Sequence, residues 1–324
     1  MNIEEKEPVL AIVGPTGSGK TEASLAAAAA LGAEIISMDS MQIYRGMDIG
    51  TAKAKPEEQH GIPHHLIDIA EITDSFTAAD YKEKAVACIQ DIRARGKIPL
   101  LVGGTGLYLD AIRYDMQFSG TDADPEYREL LHRIADSEGG HERLHRMLED
   151  ADPAAAAKLH PNDVRRVVRA LEVARSRENG SSVPERQALY PVFAYGIEFP
   201  RDVLYEHIDK RVDKMVKLGL RQETERLVRA VPAEKWGSAA QAIGYKEWFP
   251  VFEGTMTGEE AVFLIKRNSR RYAKRQLTWF RRDPEIRWLD AMSYPDKEMM
   301  FQDLISRMKS DLQNFSRNKT SKDE

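Results

Sequence analysis

The feature that most constrains this chain is a junction near its start. Residues 9–13 (VLAIV) are a continuous apolar run, GPTGSGKT fills Gly14 to Thr21, and an alanine-rich stretch then runs to Leu31 and stops at Gly32. A short apolar run bounded by turn residues reads as a buried parallel strand. The second segment matches G-x-x-x-x-G-K-[ST], in which glycines allow tight turns and successive backbone N–H groups form an anion nest. The helix behind the loop adds the positive end of its dipole. Strand, loop and helix in that order predict a parallel α/β sheet with a phosphate site at its carboxyl edge. Gly14, Thr16, Gly17, Ser18, Gly19, Lys20 and Thr21 are the expected phosphate-holding residues. Lys20 would supply a point charge and Thr21 a hydroxyl for Mg²⁺.

The alternation continues. Residues 34–38 (EIISM) read as a second strand ending at Asp39, which places a carboxylate beside the loop. Residues 98–102 (IPLLV) read as a third strand running into Gly103-Gly104-Thr105-Gly106, with a helix from about 77 to 95 before it. After about residue 118 the strand signals fade, and residues 126–134, 140–148, 154–159 and 163–175 read as short helices. Residues 178–184 read as a polar loop and 192–198 as a returning strand. Helices follow at 201–217, 220–230 and 258–280, and the polar tail from Gln313 reads as frayed. The expected fold class is α/β: a P-loop-type parallel sheet flanked by helices (1–118 and 191–324), interrupted by a helical insertion domain (119–190).

Composition removes several function classes. Cys88 is the only cysteine, so an intrachain disulfide and a multi-cysteine zinc site are excluded, and Cys88 is expected in a helix core. His64 and His65 point to opposite faces of an extended segment and cannot easily share one metal. The N-terminus lacks an apolar signal region and no apolar run approaches membrane-spanning length, so a cytoplasmic protein with no membrane partner is expected. No carboxylate ends the third strand, so the acid that holds Mg²⁺ in P-loop NTPases is missing there. The loop is therefore strong evidence for phosphate binding and weak evidence for ATP hydrolysis.

The net charge of −5 argues against a nucleic-acid partner, but the charge is unevenly placed. Residues 266–287 carry nine Lys or Arg against Asp283 and Glu285. Lys266, Arg270 and Lys274 share one helical stripe, and Arg267, Arg271 and Arg275 the next. The absence of acids within 266–282 favours a phosphate backbone as partner. Ala261, Leu264 and Leu277 would bury the opposite side, Trp279 and Phe280 read as core, and Met38, Met41 and Met47 could pack in the core or line an apolar slot.

Further segments then combine with the loop. DSMQIYRGMDIGTAK from Asp39, GIPHHLID from Gly61, VGGTGLYL from Val102, HPNDVRRVVRALEV from His160, AIGYKE from Ala242 and KRQLTWFR from Lys274 closely resemble the tRNA dimethylallyltransferases, also called tRNA isopentenyltransferases. The resemblance covers the chain except its tail. It implies that the loop holds the diphosphate of dimethylallyl diphosphate rather than a nucleotide. The dimethylallyl group would pass to N6 of the adenine 3′ of the anticodon, with the tRNA anticodon stem-loop as partner, Mg²⁺ as cofactor and a monomer as the working form. It assigns Asp39 to orient N6 and take its proton, Thr105 to the reacting centre and Arg211 to the diphosphate. From the residues alone, Asp39 could instead cap a helix or serve Mg²⁺. Thr105 could be part of a plain turn, and Arg211 could pair with Asp209 or Asp213. The RNA-facing set implied is Asp39, Ser40, Met41, Gln42, Thr105, Arg128, Arg165, Arg166, Arg169, Gly244, Tyr245, Lys246, Lys274, Arg275, Gln276 and Arg281. Arg165 stands where family members often carry Gln.

Three other classes compete. A small-molecule kinase shares loop and sheet but needs no basic helix. An ATP-driven RNA-binding protein needs the missing strand-end acid. An isopentenyltransferase acting on free adenylate shares the loop, but the basic residues and the insertion argue for a polymeric acceptor.

Overall fold

The computed structural model describes residues 6–116, 124–178 and 188–323. The first strand, β1 (Val9–Val13), is fully buried, as a strand covered by helices on both faces must be. It leads through the glycine loop into α1 (Lys20–Leu31). Helix α1 starts after Gly19 and ends at Gly32, both left-handed, and the Gly32 N–H donates to Ala28 O. Its small side chains, Ala23 and Ala27, let the helix lie close on the sheet.

β2 (Ala33–Met38) and the two-residue β3 (His64–His65) precede α2 (Ala78–Ala94), which opens on a reciprocal Thr77–Asp80 capping box. β4 (Ile98–Gly103) and α3 (Gly106–Arg113) complete the first half. Later come β5 (Val192–Glu198), α8 (Arg201–Lys217), α9 (Leu220–Ala230), α10 (Phe249–Phe252), α11 (Gly258–Phe280), β6 (Arg287–Asp290) and α12 (Lys297–Asp323). The helices between these two halves belong to the insertion described below. The sheet is parallel throughout, in the order β3-β2-β4-β1-β5-β6. β4 therefore lies between β1 and β2, and the carboxyl ends of all three meet at one edge. Among the described residues, no helix is long and apolar enough to cross a membrane.

Contacts divide the chain into Met1–Tyr114 with Ala188–Glu324, and Asp115–Gln187. Taken by itself, the second unit packs α4 (Pro125–Ala135), α5 (Gly140–Ala151), α6 (Pro153–Ala156) and α7 (Val164–Glu178) around Leu131, Leu144, Leu148, Val167 and Leu171. Asp124 and Asp152 cap α4 and α6 just ahead of prolines in the first turn. The boundary expected near residue 118 lies outside the described residues; of the polar loop expected at 178–184, Glu178 instead closes α7 and the rest lies outside them too.

Three sequence expectations change. The tail from Gln313 is not frayed; it continues α12 to Asp323. Met300, Leu304 and Met308 recur at fourfold spacing and bury the start of that helix, and no glycine or proline follows to end it. Strands β3 and β6 were missed because two and four residues are too few to show a period. Finally, Asp283 and Glu285 do not offset the neighbouring basic run. They pair with the buried Arg113, with Arg113 Nη1 at 3.6 Å from Glu285 and closer to Asp283.

The remaining side chains are ordinary. Cys88 is half-buried against the core, and Met38, Met47 and Phe280 are buried in it. His64 Nδ1 bonds Ile62 O at 2.8 Å and His65 Nε2 bonds Glu34 Oε2 at 2.7 Å.

Candidate active site

At the edge where β1, β4 and β2 end, a cavity of about 400 Å³ opens beside the glycine loop. Thr16, Lys20 and Thr21 enter from the loop and α1, Asp39 to Gln42 from the segment after β2, and Gly103 and Gly104 from the end of β4. Helix α8 adds Ile208, Arg211, Val212 and Met215, which recur at three- and fourfold spacing and so share one face. Helix α11 adds Ile265, Ser269, Tyr272, Arg275 and Gln276. The cavity thus has cationic groups, a carboxylate and an apolar surface of Val212, Met215, Ala242 and Ile265.

Of the seven predicted phosphate-loop residues, Thr16, Lys20 and Thr21 line the cavity. The glycines shape the loop: Gly17 and Gly19 have φ of 81° and 79°. The Ser18 hydroxyl is buried, has no hydrogen-bond partner among the described residues and does not line the cavity. The Thr16 amide is also not free for an anion, because it donates to Gln276 Oε1 at 2.9 Å. The Lys20 ammonium donates to Pro15 O at 2.6 Å.

Burial and, secondarily, Arg211 bring the Lys20 pKa down to about 7, against a smaller upward pull from Asp39. An entering anion supplies the missing countercharge and restores the ammonium. Inorganic pyrophosphate binding at about pH 8 is therefore expected to take up a proton, with affinity greatest below the lowered pKa and falling as pH rises through it. Calorimetry in two buffers of different ionisation enthalpy reads this, and Lys20→Met should remove the uptake.

Arg211 corrects the simplest reading of its sequence neighbourhood. Asp209 pairs with Arg270 and Asp213 with Lys266, at 2.5 Å and 2.6 Å. Arg211 has no ion pair among the described residues; its Nη2 donates to Thr51 O at 3.4 Å. Burial works against its charge and the Asp39 carboxylate supports it. A guanidinium held in a cavity without a carboxylate partner is prepared for an anion from outside.

Asp39 accepts the Met41 N–H through Oδ1 at 2.9 Å, and among the described residues its second oxygen has no hydrogen-bond partner. It does not cap a helix. The Thr105 hydroxyl accepts the Ser40 N–H at 3.3 Å, while the Thr105 N–H donates to Met38 O at 3.1 Å. The turn after β4 is thereby sewn to the segment carrying Asp39, so Thr105 does more than fill a tight turn.

Tyr245 is a correction. It is fully buried, donates to Glu223 at 2.6 Å and accepts the Gly50 N–H at 3.0 Å, so its side chain offers no surface to RNA. Its ring explains Gly50, where a Cβ would lie 2.3 Å from Tyr245 Cε2. Glu223, which sequence reasoning missed, is the hub: it also accepts the Ile49 N–H at 3.0 Å and the Gly50 N–H at 3.3 Å, and is 3 % exposed. This fixes the 49–52 segment and hence the carbonyl that meets Arg211. Glu223→Ala strands those donors and should destabilise the fold by about 2–4 kcal/mol, read by urea denaturation. A lone glutamate in an amphipathic helix gives no sequence signal. The α8 face, by contrast, was readable from its spacing around Arg211.

The basic helix is more divided than its sequence implied. Lys266 and Arg270 are tied to α8, whereas Arg271, Lys274 and Arg275 are exposed. Ala261 is buried as expected, but Leu264 and Leu277 are only half-buried, and Ile265, Ala273 and Gln276 do much of the packing. Trp279 is partly buried against the core and Arg281 pairs with Glu198 at 2.8 Å. Gly244 and Lys246 line the cavity. In the insertion, Arg128 and Arg169 share the buried Glu172, and Arg166 lies 3.4 Å from Asp163. Arg165 is exposed, with no ion pair among the described residues.

The family model described as IPP transferase matches residues 42–283. The chain belongs to the IPP transferase family. A tRNA dimethylallyltransferase of Shouchella clausii is 50% identical over 300 residues, covering 91% of this chain and 95% of that protein. One from Geobacillus thermodenitrificans is 48% identical over 295 residues, covering 90% and 92%. The crystal structure of the full-length tRNA isopentenylpyrophosphate transferase from Bacillus halodurans superposes with a TM-score of 0.74 at 43% identity, covering 97% of this chain and all of that one. A eukaryotic dimethylallyltransferase described as acting on tRNA superposes with a TM-score of 0.72 at 29% identity, covering 88% of this chain and 74% of the other. The segments outside the glycine loop therefore belong to one family, as their order in the sequence implied.

Proposed function

We propose that this chain is a tRNA dimethylallyltransferase. It transfers the dimethylallyl group from dimethylallyl diphosphate to N6 of the adenine 3′ of the anticodon. The bond between the allylic carbon and the diphosphate oxygen breaks, a carbon–N6 bond forms, the N6 proton leaves to a base and diphosphate departs. The observation that carries this reading is a phosphate-loop cavity completed by Arg211 and an apolar surface. The central β4 ends in Gly103, where a strand-end carboxylate would stand in an NTPase.

Lys20 and Arg211 stabilise the charge that grows on the leaving diphosphate. Val212, Met215 and Ile265 shelter the prenyl carbons from water. Asp39, with one oxygen spent on Met41, uses the other to orient N6 and take its proton. Thr105 holds the segment that carries Asp39. The donor chemistry fits Mg²⁺: Thr21, which carries a hydroxyl, lines the cavity, and hard oxygens together with ligand phosphates suit that ion. When bound, Mg²⁺ would neutralise diphosphate charge. Arg271, Lys274 and Arg275 in the core unit, and Arg165 with its neighbours in the insertion, meet the RNA backbone of an anticodon stem-loop. Its target base is unpaired and cheap to extrude. The protein acts as a cytoplasmic monomer.

The test incubates the protein with labelled dimethylallyl diphosphate, Mg²⁺ and unmodified tRNA, beside a reaction with ATP and small acceptors. Label at N6 of the adenine after the anticodon is expected. ATP consumption with a small acceptor and no label in tRNA would overturn the reading.

A further inference from the structure

The family resemblance implies that Gln276 is an RNA contact on the basic helix, yet it is 7 % exposed and both ends of its amide are engaged inside the protein. Oε1 accepts the Thr16 N–H at 2.9 Å, and Nε2 donates to Gly104 O at 2.9 Å. One partner is a donor only and the other an acceptor only, so the amide fits in a single orientation. The ladder between β1 and β4 ends at Val13 and Gly103. Past that point the chain enters the phosphate loop on one side and the Gly104–Thr105 turn on the other, and Gln276 bridges the two. The fit leaves no room for a side chain: a Cβ on Gly104 would lie 2.0 Å from Gln276 Nε2.

We infer that Gln276 is a positioning residue that sets the gap between the phosphate loop and the Gly104–Thr105 turn. With that gap it sets the separation of the leaving diphosphate from the accepting amine. The inference rests on the proposed transferase reading. It separates two duties on α11: Arg271, Lys274 and Arg275 are exposed, while Gln276, on the buried side, holds the two loops in register.

Gln276→Glu is the informative variant. Ionised, the new carboxylate can still accept from Thr16 but repels Gly104 O. Protonated, it restores both bonds. The charged and titratable groups facing the same cavity are Lys20 on α1, Asp39 after β2, Arg211 on α8, Lys246 ahead of α10, and Tyr272 and Arg275 on α11. All of them are also present in the wild type, so the variant-to-wild-type ratio isolates the new group. At about pH 8, kcat for transfer should fall about 10- to 100-fold, as expected when reacting groups are displaced by a fraction of an ångström to an ångström. KM for tRNA should be unchanged, and the ratio should climb toward one as pH falls to about 6, because burial raises a glutamate pKa. A raised KM for tRNA with kcat retained would make Gln276 an RNA contact and overturn the inference. So would a wild-type rate, or a kcat loss identical at every pH. Should this variant fail to fold in a thermal melt, Gln276→Met, uncharged and similar in size, replaces it. The same kcat loss is expected, and a wild-type kcat would overturn the inference. Failure of the wild-type protein itself to label tRNA would point instead to the transferase reading, and both would fall.

Discussion

Asp39→Asn should lower the transfer rate about 10²- to 10⁴-fold, the usual contribution of a positioned general base. Asparagine is chosen because its side-chain oxygen can keep the Met41 N–H bond that Asp39 Oδ1 makes at 2.9 Å. The turn then survives, and stability should change by less than about 1 kcal/mol. What disappears is the second oxygen, which has no partner among the described residues to lose. The measurement is single-turnover transfer to unmodified tRNA, with pyrophosphate binding as a control for the other half of the site. A variant with the wild-type rate would remove Asp39 from the proton transfer. One that loses pyrophosphate binding as well would place it on the metal and diphosphate side instead.

Arg211→Lys should cost about 10²- to 10³-fold in kcat, in the range seen when one preorganised donor to a developing anion is lost. The exchange keeps the charge, so a large effect would identify the planar fork as the requirement. The structure makes this sharper than usual, because Arg211 has no ion pair among the described residues while Asp209 and Asp213 on the same helix are occupied by Arg270 and Lys266. A second readout accompanies it. The Arg211 charge helps depress the Lys20 pKa, so Arg211→Ala should raise it. The alkaline limb of pyrophosphate binding should then move to higher pH. An unchanged kcat in Arg211→Lys together with an unmoved limb in Arg211→Ala would mean that the arginine only packs.

Much of this molecule was open to reading from local chemistry. Residues 9–13 and 192–198 carry strand patterns that need no tertiary help, and α1, α8, α9 and α11 have ends marked by Gly19, Pro200, Gly219 and Thr257. The phosphate loop announced itself because every residue in it serves one local geometry. The tail misled because a run of polar residues looks solvated when the buried Met300, Leu304 and Met308 that anchor its helix lie upstream.

By itself, then, the sequence determined the parallel α/β class, the anion-binding junction at Gly14 to Thr21 and the family, and through that resemblance it pointed to Asp39, Thr105 and Arg211. Hydrophobic period, glycine placement and motif order are properties of neighbours along the chain. Only the tertiary structure decided that, among the described residues, Arg211 has no ion pair while Arg270 has one. It likewise showed that Tyr245 is a strut rather than a surface, that Glu223 organises the 49–52 segment and that Gln276 bridges two loops. Those assignments depend on hydrogen-bond partners as far as 260 residues apart. No local pattern encodes which donor a buried oxygen will meet once the strands have been laid side by side.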